Sequence, residues 1–146
     1  MVYIGADHRG FHLKELIKHW LDDLGYEYED LGAHELDAND DYTQYAKLVA
    51  ERISINPEDR GIVICGSGVG VDITANRFPG VRAGLAIDAD QIHSARNDDD
   101  INVLALAADE IPEDEAKHIL ETFLETEFSK EEKYLRRIED MDEEIE

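Results

Sequence analysis

The sequence feature that most constrains the fold is residues 61–78, GIVICGSGVGVDITANRF. Its apolar start, IVI, is the kind of β-branched run that forms a strand buried on both faces. Three glycines at alternate positions follow Cys65, and because glycine has no Cβ they allow a tight turn and a close approach of a ligand to the backbone. Residues 71–78 then favour a short helix, which Pro79 and Gly80 end. The stretch predicts a strand, a glycine loop (residues 66–70) and the start of a helix.

Three interpretations of the glycine loop are open on this pattern alone. In the first, Cys65 is a small buried residue and the glycines only form a turn. In the second, GSGVG is a variant dinucleotide-binding fingerprint with Asp88 as the ribose-binding acid, although its last glycine comes one residue early. In the third, Cys65 is a catalytic thiol beside the positive end of a helix, and free backbone amides of the loop stabilise an oxyanion. The third interpretation uses every unusual residue of the stretch.

Composition limits the classes of partner and the location. The chain has 146 residues, 42% of them hydrophobic, which suits one domain over residues 1–146. No apolar run approaches the ~20 residues that span a bilayer, and no signal peptide is apparent. With a single cysteine, we expect a cytoplasmic protein without a disulfide. The net charge of −22 disfavours nucleic acid and anionic membrane as partners, because both require a basic surface.

Strand and helix patterns alternate along the chain. The alternation predicts an α/β protein with a Rossmann-like three-layer α/β/α fold, a five-stranded parallel sheet and a charged C-terminal helical tail. Strands are predicted at residues 2–6, 26–31, 81–87 and 102–107, and in the apolar run that ends at residue 65. Helices are predicted at residues 11–24, 42–55, 71–78, 89–96 and 113–128.

Ligands of parallel sheets bind outside the carboxyl ends of the strands. We therefore expect residues 7–8, 65–70 and 98–100 to share one edge of the sheet. His8 and His12 are four residues apart, but the first helix is expected to begin between them, so we expect no shared metal.

The tail, residues 129–146, allows two interpretations. Arg136 and Arg137 either pair with neighbouring glutamates on a solvated helix, or one of them binds a phosphate or carboxylate in the site of a neighbouring subunit. Spacing alone does not separate the two.

Four segments resemble the ribose-5-phosphate isomerase type B family, which includes the galactose-6-phosphate isomerase subunits. They are GADHRGFHLKE at 5–15, DYTQYA at 41–46, ICGSGVGVDITANRFPGVRA at 64–83 and NVLAL at 102–106. The resemblance implies a homodimer or dimer of dimers with a site shared between subunits. It also implies aldose–ketose isomerisation of a sugar phosphate, with ribose 5-phosphate as the expected substrate and no metal or organic cofactor.

Residue roles follow from the resemblance by position. Cys65 is implied as the base that moves a proton between C1 and C2, Ser67 as a proton relay between the substrate oxygens, and Asp98 as the group that opens the sugar ring. The implied substrate contacts are Asp7, His8, Tyr42, Gly66, Gly68, Val69, Gly70, Asp99, Lys133, Arg136 and Arg137.

Three positions depart from the family pattern. Asp98 stands where many members have histidine, Asp109 where an arginine is common after the fifth strand, and Lys133 where a tail arginine contacts phosphate. The two added acids are expected to weaken binding of a dianion. The alternatives are therefore an isomerase for a different or less charged sugar, and a non-catalytic member that binds a nucleotide or sugar phosphate.

Overall fold

The computed structural model describes residues 1–143 and contains a five-stranded sheet with helices on both faces. The strands are Val2–Ala6 (β1), Tyr28–Asp30 (β2), Arg60–Cys65 (β3), Ala83–Leu85 (β4) and Val103–Ala107 (β5). The helices are Phe11–Leu24 (α1), Tyr42–Ile55 (α2), Val69–Ala75 (α3), Ala89–Asp99 (α4), Glu113–Glu125 (α5) and Glu132–Asp142 (α6).

The sheet is parallel throughout, with strand order β2-β1-β3-β5-β4. β3 lies in the centre, where Ile62 pairs with Ile4 of β1 and Leu104 of β5. The predicted α/β fold with a five-stranded parallel sheet is confirmed. The charged tail contains α6, and the last three positions, 144–146, lie outside the described residues.

The central strand contributes side chains to two hydrophobic cores. Ile62 and Ile64 face the core formed with α1, α4 and α5, whereas Val63 and Cys65 face the core formed with α2 and α3. Because successive side chains of a strand point to opposite faces, a strand covered on both sides needs apolar residues at every position. This explains the uninterrupted apolar run before the glycine loop.

Several element bounds differ from the prediction. The edge strands β2 and β4 have three residues each, shorter than the predicted 26–31 and 81–87, because each has only one neighbour to bond with. α3 begins at Val69 rather than residue 71, since Gly68 at φ 73° turns the chain directly into the helix. α4 continues past the predicted residue 96 to Asp99. α5 ends at Glu125, three residues before its predicted end.

Within residues 1–143, the helices are all too short or too polar to cross a membrane. A cytoplasmic location stays a prediction.

Helix α2 lies close to β3 at Gly61. A Cβ there would lie 2.7 Å from Val49 Cγ1 of α2 and 3.1 Å from Val103 Cγ2 of β5. At Gly84 of β4, a Cβ would meet nothing closer than the end of the Ile101 side chain, at 3.3 Å. The packing of α2 on the sheet therefore requires glycine at position 61.

We expect Gly61→Ala to lower the free energy of unfolding by about 1–3 kcal/mol, because the added methyl group overpacks a closed core. The matched control is Gly84→Ala, for which we expect a clearly smaller loss, since the flexible tip of Ile101 can move. Urea unfolding of both variants measures the difference. Equal losses would show that the close approach at Gly61 does not limit the packing.

Candidate active site

The glycine loop leaves the carboxyl end of β3 and packs against the ends of two neighbouring strands. At Gly68, φ is 73°, and a Cβ would lie 2.5 Å from Leu85 Cδ1 and 3.0 Å from the Ala107 backbone nitrogen. Both the left-handed backbone and the lack of space restrict this position to glycine. The loop is thereby held in one shape against β4 and β5.

The carbonyl groups at the start of the loop are bonded, whereas most of its amides are free. Cys65 O accepts from the Ala108 backbone amide at 2.9 Å, and Gly66 O accepts from the Asp109 amide at 3.0 Å. Among the described residues, no acceptor is found for four amides of the loop, and the Val69 amide lies 3.4 Å from the Ser67 hydroxyl. The four free amides are those of Gly66, Ser67, Gly68 and Gly70. Such amides can bind an anionic oxygen.

A cavity of about 310 Å³ lies over the loop, and we call it the glycine-loop cavity. It brings together seven residues that the sequence singled out in three separate segments of the chain, and Cys65 lies in its wall although only 4% of this residue is exposed. Those seven are Asp7, Tyr42, Cys65, Gly66, Ser67, Val69 and Gly70.

Tyr42 reaches the cavity from the first turn of α2. A Cβ on Gly70 would lie 2.5 Å from Tyr42 Cζ, so the ring packs directly on the loop backbone. The Tyr42 side chain remains 39% exposed. Gly70 is therefore a glycine because an aromatic ring occupies the space that a side chain would need.

The loop between β1 and α1 is fixed by the buried carboxylate of Asp7. Its Oδ1 accepts hydrogen bonds from the backbone amides of Arg9 at 3.0 Å and Gly10 at 3.1 Å. Such bonds from a carboxylate to following amides stabilise tight turns. Asp7 therefore shapes this loop beside the cavity.

His8 is held by Asp40, a residue for which the sequence predicts no role. Asp40 Oδ1 accepts from the His8 backbone amide at 3.0 Å and lies 2.7 Å from His8 Nδ1. The Asp40 side chain is 3% exposed, and its Oδ2 has no partner among the described residues. These contacts fix the orientation of the imidazole. Nothing local in the sequence distinguishes Asp40 from its acidic neighbours.

Asp7, His8 and Asp40 are the residues that could hold a cation. One ligand atom of each lies within 4.8 Å of the others. Oxygen and imidazole ligands suit several divalent ions. The absence of a metal, expected from the histidine spacing, stays a prediction.

Arg9 is a cavity residue that sequence reasoning missed. It lines the glycine-loop cavity and forms an ion pair with Asp109, which follows β5. A Cβ on Gly66 would overlap the Arg9 guanidinium, with Nη2 2.7 Å away. The two partners are 100 positions apart in the chain, so only the folded structure brings them together.

Asp88, the acid considered for a dinucleotide ribose, has another role. It is the N-cap of α4, and its Oδ1 accepts from the Gln91 backbone amide at 2.8 Å. N-cap residues of this kind satisfy the free amides of the first helical turn. Asp88 is therefore engaged as a helix cap, and the dinucleotide interpretation has no acid to bind the ribose.

The expectation that residues 98–100 share the edge of the glycine loop is wrong. α4 starts after β4 and returns the chain to the start of β5, so its last residues lie at the amino edge of the sheet. There Asp100 accepts from Arg96 Nη1 at 2.7 Å and from Arg82 Nη2 at 3.2 Å. A helix that links parallel strands always ends at the edge opposite to its start. Asp98 and Asp99 are therefore far from Cys65 of their own chain.

The cations of the tail are also remote from the glycine-loop cavity. Lys133, Arg136 and Arg137 are exposed on α6, which packs against α4. Burial and the charge of Asp98 raise the pKa of Asp99, and the charge of Arg137 opposes this rise. Arg137 thus lies near Asp99, at the end of α4.

A second cavity, of about 550 Å³, opens at the amino edge and is larger than the glycine-loop cavity. Its charged lining consists of three arginines, one lysine and three acids, and burial together with repulsion by Arg96 and Arg82 lowers the pKa of Arg60. None of the loops that follow the strands contributes to it, and Asp100 bonds two of the arginines. We therefore assign the site to the smaller cavity over Cys65.

Comparison with known proteins identifies the family of the chain. A family model described as Ribose/Galactose Isomerase matches residues 2–141. The probable ribose-5-phosphate isomerase B of Mycoplasma pneumoniae is 41% identical over 127 residues, which cover 87% of this chain and 84% of the relative. The ribose-5-phosphate isomerase B of Mycobacterium tuberculosis is 37% identical over 138 residues, covering 94% and 85%.

Solved structures of the same family are similar over almost the whole chain. Ribose-5-phosphate isomerase B from Mycoplasma genitalium, with bound ribulose-5-phosphate, superposes with a TM-score of 0.93 at 37% identity, covering 97% of this chain and 93% of that one. The enzyme from Thermotoga maritima superposes with a TM-score of 0.91 at 39% identity, covering 97% and 96%. With the family model matching almost the whole chain, the protein belongs to the ribose/galactose isomerase family.

Proposed function

We propose that the protein interconverts ribose 5-phosphate and ribulose 5-phosphate without a cofactor, with Cys65 as the base that transfers the proton. The observation that carries the proposal is the position of the Cys65 side chain in the cavity wall beside four free loop amides. The relatives named ribose-5-phosphate isomerase B, and the Mycoplasma genitalium enzyme that holds ribulose-5-phosphate, support this substrate.

The chemistry requires one carbon-bound proton to move. The Cys65 thiolate removes the proton from C2 of the open-chain aldose, the electrons of that bond form the C1–C2 double bond, and O1 takes up the negative charge. Ser67 then relays the proton of the O2 hydroxyl to O1, so that the charge moves to O2. The C2 carbonyl forms as the Cys65 thiol returns its proton to C1. Base and relay catalysis of this kind requires groups within hydrogen-bonding reach of the substrate.

The loop amides stabilise the negative charge that develops on the substrate oxygens. The enediolate carries its charge on O1 and O2 in turn, and amides fixed before the reaction stabilise such a charge without reorganising. Of the four residues with free amides, Gly66, Ser67 and Gly70 line the glycine-loop cavity, and Val69 begins the helix that follows. Tyr42 and Asp7 complete the wall against which we place the sugar.

We further propose that two subunits share each site. Asp98, Asp99 and the tail cations Lys133, Arg136 and Arg137 lie at or near the amino edge of their own chain. In a homodimer these residues would reach the glycine-loop cavity of the partner, where Asp98 opens the ring and the cations contact the substrate. Two apolar side chains of α6, Leu135 and Met141, are 47% and 55% exposed, which suits a subunit interface.

We expect Cys65→Ala to lower kcat for ribose 5-phosphate isomerisation by about 10²–10⁴-fold, the usual contribution of a positioned base. Binding should be retained, because the side chain that is lost is small and the amides remain. Conversion followed by NMR, with ligand-induced thermal stabilisation as the binding control, measures both. Turnover by Cys65→Ala at the rate of the wild type would refute the role of the thiol.

Mixed dimers test whether the site is shared. Cys65→Ala and Asp98→Ala homodimers should each be inactive, whereas a mixed dimer contains one site with both groups intact. Random mixing of equal amounts should restore about a quarter of the wild-type activity, since half the dimers are mixed and each has one intact site. A mixture as inactive as its parents would show that the two residues do not act in one intersubunit site.

A further inference from the structure

We propose that Arg9 binds the phosphate group of the substrate at the glycine-loop cavity, and that Asp109 holds its guanidinium there. The inference rests on the proposed function, because it supplies the phosphate-binding cation for that site. It begins with position: the guanidinium lies over Gly66, in the wall that also contains Cys65 and Ser67.

Asp109 is well placed to hold the guanidinium. Its carboxylate Oδ2 accepts from Arg9 Nη2, and its backbone amide donates to Gly66 O at 3.0 Å. At the other end, the backbone amide of Arg9 is bonded to Asp7 Oδ1 at 3.0 Å. Arg9 is therefore anchored by its backbone to the loop after β1 and by its side chain to the residue after β5.

The guanidinium keeps donors for a ligand. Within residues 1–143, Nη2 is the Arg9 side-chain atom with a hydrogen bond, so Nε and Nη1 are available, and the side chain is 56% exposed. A guanidinium has five N–H donors in a planar fork that matches the oxygens of a phosphate. One carboxylate partner leaves most of this fork available.

Arg9 is also the one cation among the described residues that line the glycine-loop cavity. The other charged group of the lining is Asp7, whose Oδ1 is bonded to two backbone amides. In a chain with a net charge of −22, a dianion needs such a local cation to overcome long-range repulsion.

This arrangement gives a physical reason for the acid at position 109. On sequence alone, the negative charge of Asp109 is expected to weaken phosphate binding. In the structure, the same carboxylate positions an arginine from another element at the glycine loop. Asp109 therefore positions the Arg9 guanidinium at the site, whereas an arginine at position 109 would supply the cation itself.

The test compares binding of ribose 5-phosphate, inorganic phosphate and unphosphorylated ribose by titration calorimetry. Arg9→Ala should weaken binding of ribose 5-phosphate and phosphate by about 10- to 100-fold, the usual effect of losing hydrogen bonds from a charged group. Any weak binding of ribose should not change. Arg9→Lys should recover part of the loss, since lysine keeps the charge without the fork.

The matched control is Arg52→Ala. Arg52 forms a comparable exposed ion pair with Glu29 at 3.2 Å, with side-chain exposures of 44% and 46%, and is not in the cavity wall. Both alanine variants should keep the wild-type Tm, because exposed ion pairs contribute little to stability. Arg52→Ala should also keep wild-type phosphate affinity.

Exchanging the charges of Arg9 and Asp109 tests the ion pair itself. Arg9→Asp alone should abolish phosphate binding, and combining it with Asp109→Arg should restore part of it by moving the guanidinium to the opposite partner. Equal affinities of wild type and Arg9→Ala for ribose 5-phosphate would overturn the inference, as would a wild type that binds no phosphate ester. A wild type that binds through Arg9 but does not isomerise would refute the proposed function and leave the inference intact.

Discussion

The parallel pairing of β3 with β1 and β5 is the constraint on which the site depends. The register places Ala6 opposite Ile64 and Cys65 opposite Ala107, so the three strands end within a residue or two of each other. Their following loops must then meet at one edge. Cys65, the glycine loop, the Asp7 turn and Asp109 are neighbours because of this register, although they come from three distant parts of the chain.

The parts of the site that could be predicted from the sequence are local. The strand and glycine pattern of residues 61–78 has a direct physical meaning, since burial on both faces needs apolar residues and a left-handed turn needs glycine. The expectation that residues 98–100 lie at the edge of the glycine loop was wrong, because α4 returns the chain to the start of β5 and so ends at the opposite edge. Arg9 and Asp40 could not be predicted, because their partners Asp109 and His8 are distant in sequence.

The distribution of charge connects the fold to the proposed chemistry. A surplus of 22 negative charges surrounds a cavity that must accept a phosphate ester. The protein places free amides and one arginine there, and it keeps its other candidate cations on α6, where a second subunit would bring them to the site. In this account the acidic surface is compatible with an anionic substrate because the attraction is local.

Alkylation of the single cysteine tests the central claim most directly, because any modification by iodoacetamide reports on Cys65 alone. If the sugar phosphate binds over the thiol with its phosphate anchored beside it, ribose 5-phosphate should slow alkylation in proportion to site occupancy, whereas ribose at the same concentration should not. Mass spectrometry of the wild-type protein over time gives both rates. An alkylation rate unchanged by saturating ribose 5-phosphate would contradict the placement of the substrate at Cys65.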